Sequence, residues 1–178
     1  MPNLNVFRPA DTIETIECWQ IALKNLKVPS VIALTRQKLQ QIRKKYNSFN
    51  KCSLGAYELF RTNKKIKLTI IASGSEVGIA TNLSHKLAKY KIYSKVISMP
   101  CQEIFNKQNK LYKNKIINET KLKISIEAGA KFGWKKFIDD ENLIFGIDEF
   151  GKSAPYKKLF DYFGFNEARI LKKIRKLK

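Results

Sequence analysis

Histidine is nearly absent from this chain: His85 stands alone among 178 residues, and cysteine is limited to Cys18, Cys52 and Cys101. The three thiols are far apart and odd in number, with no Cys-x-x-Cys pair. That indicates neither a disulfide framework nor a zinc site, and leaves three reduced, mostly buried thiols as the expectation. His85 falls opposite the apolar stripe of its segment and is expected to be exposed rather than catalytic. No apolar run approaches the ~20 residues needed to cross a bilayer. The opening Met1-Pro2-Asn3-Leu4-Asn5 has neither a charged region followed by an apolar one nor an Arg/Ser-rich transit pattern, so a cytoplasmic location is expected.

Acidic residues are also scarce, 15 against 35 basic ones, for a formal charge of +20. The excess suggests a basic nucleic-acid-binding module. Only six of the bases are arginine (Arg8, Arg36, Arg43, Arg61, Arg169, Arg175), although Arg is the side chain suited to bidentate phosphate and guanine contacts. The lysines are spread through every segment, and Ile, Asn, Phe and Tyr are plentiful, as AT-rich codons produce. Codon drift therefore accounts for the charge better than specific nucleic-acid recognition. Any polyanion affinity should weaken steeply with salt.

What the chain does have is 44% hydrophobic residues, enough for one sizeable core; at this length roughly 70% of the unfolded surface is buried. Residues 6–36 read as the tail of an α/β unit. Asp11 and Glu14 are spaced as a capping box. Ile13, Ile16, Ala22, Leu23 and Leu26 follow at helical spacing, and Pro29 ends the pattern. Ser30-Val31-Ile32-Ala33-Leu34 reads as a buried parallel strand. Arg36 comes directly after it, at the edge where open α/β sheets bind ligands. An arginine there either holds an anion or makes a structural salt bridge, and the residues alone leave both open.

Residues 48–65 read as a linker by composition, with a brief ordered patch over 55–60. Beyond it, strands are expected at 68–72, 95–99, 122–126 and 143–147, alternating with helices. Ser73 and Glu76 are placed as a capping box on the first helix. Pro155 opens a helix carrying Tyr156, Leu159, Phe160 and Phe163, with Gly164 at its end. A last helix presents Ile170, Leu171, Ile174 and Leu177. The fold class is α/β: a mostly parallel five-stranded sheet with helices on both faces, preceded by a short α/β remnant. Ser73-Gly74-Ser75-Glu76-Val77-Gly78 is neither of the common phosphate-binding glycine patterns, and Glu76 would set a negative charge beside a phosphate, so a tight turn is expected. Asp139-Asp140-Glu141 reads as a solvated loop rather than a metal site.

Arg8-Pro9-Ala10-Asp11, Thr35-Arg36-Gln37, Gly74-Ser75-Glu76-Val77, Ser98-Met99-Pro100, Glu127-Ala128-Gly129 and Phe150-Gly151-Lys152-Ser153-Ala154-Pro155 occur in this order. Their order and spacing resemble the C-terminal stretch of transketolase. The resemblance implies that residues 1–47 are the end of a pyrimidine-binding domain, 48–65 a linker and 66–178 a transketolase C-terminal domain. It implies two-carbon ketol transfer between sugar phosphates, in the pentose phosphate pathway, with thiamine diphosphate supplying the stabilised carbanion. By the same resemblance Arg36 matches the arginine that grips the sugar phosphate. The Gly-Asp-Gly motif that holds the diphosphate and Mg²⁺, the activating glutamate and the active-site histidines belong to regions this chain does not span. The implied reading is a fragment or split subunit, inactive and cofactor-free alone, with an N-terminal transketolase half or copies of itself as partners. Lys152 departs from the family's usual Glu, which points to relaxed selection. Deoxyxylulose-phosphate synthase and the β subunit of a 2-oxo acid dehydrogenase share this domain type and stay open as alternatives.

Overall fold

The computed structural model describes residues 2–63 and 65–177; Met1, Lys64 and Lys178, two of them the outer ends of the expected domains, lie outside the described residues. The first unit holds strand β1 (Asn5–Phe7), helix α1 (Thr12–Lys24) and strand β2 (Ser30–Ile32), with β1 and β2 paired in parallel. Asp11 caps α1 by accepting from the Glu14 N–H at 2.9 Å. The Glu14 carboxylate reaches back to the Ala10 N–H at 2.7 Å, one residue short of a strict capping box.

The second unit is built on a five-stranded sheet in the order β3-β5-β4-β6-β7, formed by Tyr57–Arg61, Ser94–Ser98, Leu68–Ala72, Leu122–Ile126 and Ile144–Phe145 respectively. Only β3 runs antiparallel, on the edge beside β5. Every residue of β4 and β5 is buried, as central parallel strands require. Helix α2 (Glu76–Ala88) leads from β4 to β5, and α3 (Gln102–Asn106) with α4 (Lys110–Ile117) leads back across β4 to β6. Right-handed crossovers in opposite directions put these helices on opposite faces of the sheet. Helices α5 (Tyr156–Tyr162) and α6 (Glu167–Arg175) close the chain, with α6 packed on α2.

Three expectations need correction. The stretch 48–65 is not a bare linker: Lys51–Leu54 forms a 3-10 turn and Tyr57–Arg61 is a strand of the sheet. Gly55, at φ +77°, makes the entry possible, because a Cβ there would lie 2.1 Å from the Phe105 backbone nitrogen. The expected buried strand at 30–34 ends at Ile32, and Val31 is 47% exposed, so among the described residues that face is not covered. The strand expected over 143–147 shrinks to two residues after a 3-10 turn.

The main core packs Leu68, Ile70, Leu83, Leu87, Ile97, Phe105, Ile124 and Trp134 between the layers. A second core lies between the two units, where Phe7, Cys18, Cys52 and Cys101 meet, and all three thiols are free and buried. Burial pushes the Cys101 thiol up to about 12, so it stays protonated and inert. Lys95 on β5 is fully buried, and its Nζ donates to the Lys115 carbonyl (2.9 Å) at the C-terminal end of α4 and to Glu119 (2.8 Å).

Candidate functional site

β4 has β5 on one side and β6 on the other, so the topological switch point of the sheet lies at the carboxyl edge of β4 and β6. Open α/β sheets bind their ligands there. In this chain the position is filled from within. Arg8, just past β1, directs Nη1 at Glu127 Oε1 (2.5 Å) and Nη2 at Glu76 Oε2 (3.4 Å). Its backbone is clipped to the same edge: the Arg8 N–H donates to the Pro100 carbonyl at 2.8 Å, and the Gly74 N–H donates to the Arg8 carbonyl at 2.9 Å.

The two carboxylates are held by further donors. Ser73 Oγ donates to Glu127 at 2.8 Å, Trp134 Nε1 donates to the other oxygen of Glu127, and the Ala128 N–H donates to Glu76 at 3.0 Å. Burial raises the Glu76 carboxyl above its ordinary range, against the opposing pull of the Ser75 hydroxyl, the Ala128 N–H and Arg8. The expected Ser73–Glu76 capping box is therefore absent. Ser75 takes the cap position without a side-chain bond to the helix backbone, its hydroxyl donating to the Glu76 carboxylate instead, while Ser73 and Glu76 reach residues more than 50 positions away.

Two more polar contacts anchor α1, one of them to the sheet of the second unit, and neither was visible as a motif. Glu14, on α1, is fully enclosed and accepts from Tyr57 Oη (2.7 Å) and Ser98 Oγ (2.5 Å) of the sheet. Burial raises its carboxyl, and the hydroxyl donors only partly offset this. Glu17 faces the guanidinium of Arg43, which lies in the stretch that composition alone marks as polar and solvated. Burial by itself would raise Glu17; the Arg43 fork and the Cys52 N–H reverse this and hold it below the usual carboxylate range.

A cleft of about 830 Å³ opens beside this joint, lined by Arg8, Thr35, Gln37, Asn82, Tyr156 and Phe160 among others. Arg36 sits on an exposed segment four residues past β2, between Thr35 and Gln37, whose own turn is closed by a Gln37 N–H bond to Thr35 Oγ1 (3.1 Å). No carboxylate among the described residues pairs with it, so the structural salt-bridge reading finds no partner among them. His85 is exposed and stacks on Phe60 with ring centroids 5.1 Å apart. Asp139, Asp140 and Glu141 lie in an exposed loop, and Lys152 is exposed with its Nζ 4.4 Å from the centre of the Tyr162 ring.

The open sheet, its antiparallel edge strand and the joint at its ligand edge define an α/β domain whose ligand edge is closed by the unit before it. Residues 55–166 match the family described as Transketolase-like TK C-terminal domain. The chain is 42% identical over 171 residues to the transketolase of Sinorhizobium medicae, covering 96% of this chain and 24% of that one. The solved transketolase of Campylobacter jejuni superposes with a TM-score of 0.88 at 36% identity, over 99% of this chain and 26% of that one. A split-gene transketolase solved as an inactive β4 tetramer shares the fold, with a TM-score of 0.76 at 18% identity, over 99% of this chain and 57% of that one. The chain belongs to the transketolase family and corresponds to its C-terminal part. It spans about a quarter of the length of the relatives it matches. These matches favour transketolase over the synthase and dehydrogenase alternatives.

Complete transketolases use thiamine diphosphate with a divalent metal. The described residues do not fit that pair. No three His, Cys, Asp or Glu side chains among them gather as metal ligands, and the one carboxylate pair at the sheet edge is already engaged by Arg8.

Proposed function

We propose that this chain supplies the C-terminal quarter of a transketolase, active in two-carbon ketol transfer between sugar phosphates only when the upstream three quarters are joined to it. The observation that carries this is the orientation of α1. Its inward face holds Glu14, Glu17 and Cys18, while Ile16, Trp19 and Leu23 on the outer face are 52%, 49% and 69% exposed. Leu26, Val31 and Leu34, on the segments that follow, are also exposed, at 94%, 47% and 58%. An outward apolar stripe beside a two-stranded parallel sheet is half of an α/β unit, one that a partner completes.

Residues 1–47 are then the end of a pyrimidine-binding domain, and the partner carries the thiamine diphosphate and metal site. The split-gene transketolase of the same fold is a precedent for a two-piece arrangement and for self-association of one piece. In the completed enzyme Arg36, which pairs with no carboxylate among the described residues and lies between Thr35 and Gln37 of the cleft wall without itself lining the cleft, grips the sugar phosphate. Three unpaired thiols suit a cytoplasmic protein, and among the described residues no helix is long and apolar enough to cross a membrane.

The test is complementation. The purified chain is mixed with the Sinorhizobium medicae transketolase lacking its own C-terminal quarter, and ketol transfer is followed. Activity in the mixture and in neither part alone is the expected result. A mixture that binds through the α1 face yet stays inactive would mean that the site is not completed, and failure to bind would overturn the reading of that face.

A further inference from the structure

The sheet edge that should receive a ligand is organised around a planar cation. Glu127 and Glu76 each take one nitrogen of the Arg8 guanidinium. Glu76 is itself fully buried, and Glu127 is held in place by Ser73 and Trp134. One glycine leaves the slot open: a Cβ at Gly129 would come within 3.1 Å of Arg8 Nη1, whereas one at Gly74 would meet Arg8 Nε at an ordinary contact of 3.6 Å. A compact ammonium could face one carboxylate but not span both, because only a planar fork presents two nitrogens in this way. The strand ends, the carboxylates and the glycines all belong to the second unit, whereas the arginine comes from the first.

We propose that the carboxyl edge of β4 and β6 is a guanidinium-binding site, filled in this chain by Arg8, and that it accepts a free alkylguanidinium when Arg8 is removed. This is independent of whether a partner completes the chain, since every group involved lies within it. The site joins the two units through a specific ligand contact, with Phe7-Arg8-Pro9 acting as the bound peptide.

The experiment is chemical rescue of the full-length Arg8→Ala chain with methylguanidinium. At about ten times the dissociation constant, the melting temperature of the variant should rise by roughly 3–6 °C. The unsubstituted chain, its site already full, should not respond. Equal concentrations of methylammonium, which has the charge without the fork, and urea, which has the fork without the charge, should not rescue. Adding Glu127→Gln to Arg8→Ala should remove the response. No shift with methylguanidinium, or the same shift with methylammonium, would overturn the proposal. If Arg8→Ala cannot be isolated folded, the readout is refolding yield: recovery with methylguanidinium alone supports the site, and equal failure in all three solutes rejects it.

Discussion

Glu17 and Arg43 meet as a two-bond fork, each guanidinium nitrogen 2.8 Å from its own carboxylate oxygen, with both side chains buried. The pair ties α1 to the stretch after β2 across 26 positions of sequence. Removing one partner leaves the other charge buried without compensation. Arg43→Ala should therefore lose about 3–5 kcal/mol of stability. Replacing both by apolar residues of similar volume should cost much less, and urea unfolding of the single and double variants measures the difference.

Glu14 sets a dependence of the opposite kind. Its carboxyl is raised in the folded chain, so the folded state holds the proton more tightly than the unfolded one. Its contribution is greatest below the ordinary value of 4.5 and is lost as pH rises through the elevated folded value. Glu76, raised for the same reason, adds to the fall. Glu14→Gln should flatten the decline of the urea midpoint as pH rises above the ordinary carboxylate value of 4.5, whatever its absolute stability. An unchanged slope would show that Glu14 is ionised throughout.

Residues 44–49 are all exposed and include Lys44 and Lys45. A first segment lacking its neighbours would be expected to digest quickly. The contacts of Arg8 and Glu14 with the sheet predict otherwise: trypsin should nick at Lys44 or Lys45, and the two pieces should co-elute as one particle on size exclusion.

On the outer face of α1, Leu23→Glu should change the stability of the chain by no more than about 0.5 kcal/mol, since the site is exposed. It should abolish complementation by the upstream half. Calorimetry and the mixed activity assay together separate the two effects.

In the completed enzyme, Arg36→Ala should lower kcat/KM by roughly tenfold to a hundredfold, the loss of a charge-assisted phosphate contact of about 1.5–3 kcal/mol. Arg36→Lys should recover only part of it. An Arg36→Ala complex of full activity would remove the residue from the site.

The sheet was legible where burial is two-sided. The apolar runs at 68–72 and 122–126 coincide with β4 and β6, because a central parallel strand needs apolar residues on both faces. β3 escaped because Glu58 and Arg61 interrupt its pattern and its register shifts between Glu58 and Phe60, which an edge strand tolerates. The periodicity of α1 was legible but its direction was not, since helical spacing of Ile16 and Leu23 is the same whether the stripe faces this chain or a neighbour. The site depended on long-range recruitment. Glu76 looks like a cap by spacing and instead serves an arginine 68 positions away, and no local pattern reports that. Tyr57 and Ser98 likewise reveal their roles only once the two units are docked, and Arg43 only once its segment packs back on α1.

The open side of β2, next to the outward α1 stripe, has a consequence for how the chain behaves in a test tube. An uncovered strand edge is a template on which identical copies can stack. The lysines that decorate every segment give each copy a charge of +20, and that mutual repulsion keeps the templates apart. Salt should then act in two opposite directions on one sample. Raising it well above 0.15 M, where the screening length is about 8 Å, releases adventitious polyanions yet also removes the repulsion between copies. The chain should be cleanest of nucleic acid and most prone to self-association in the same buffer.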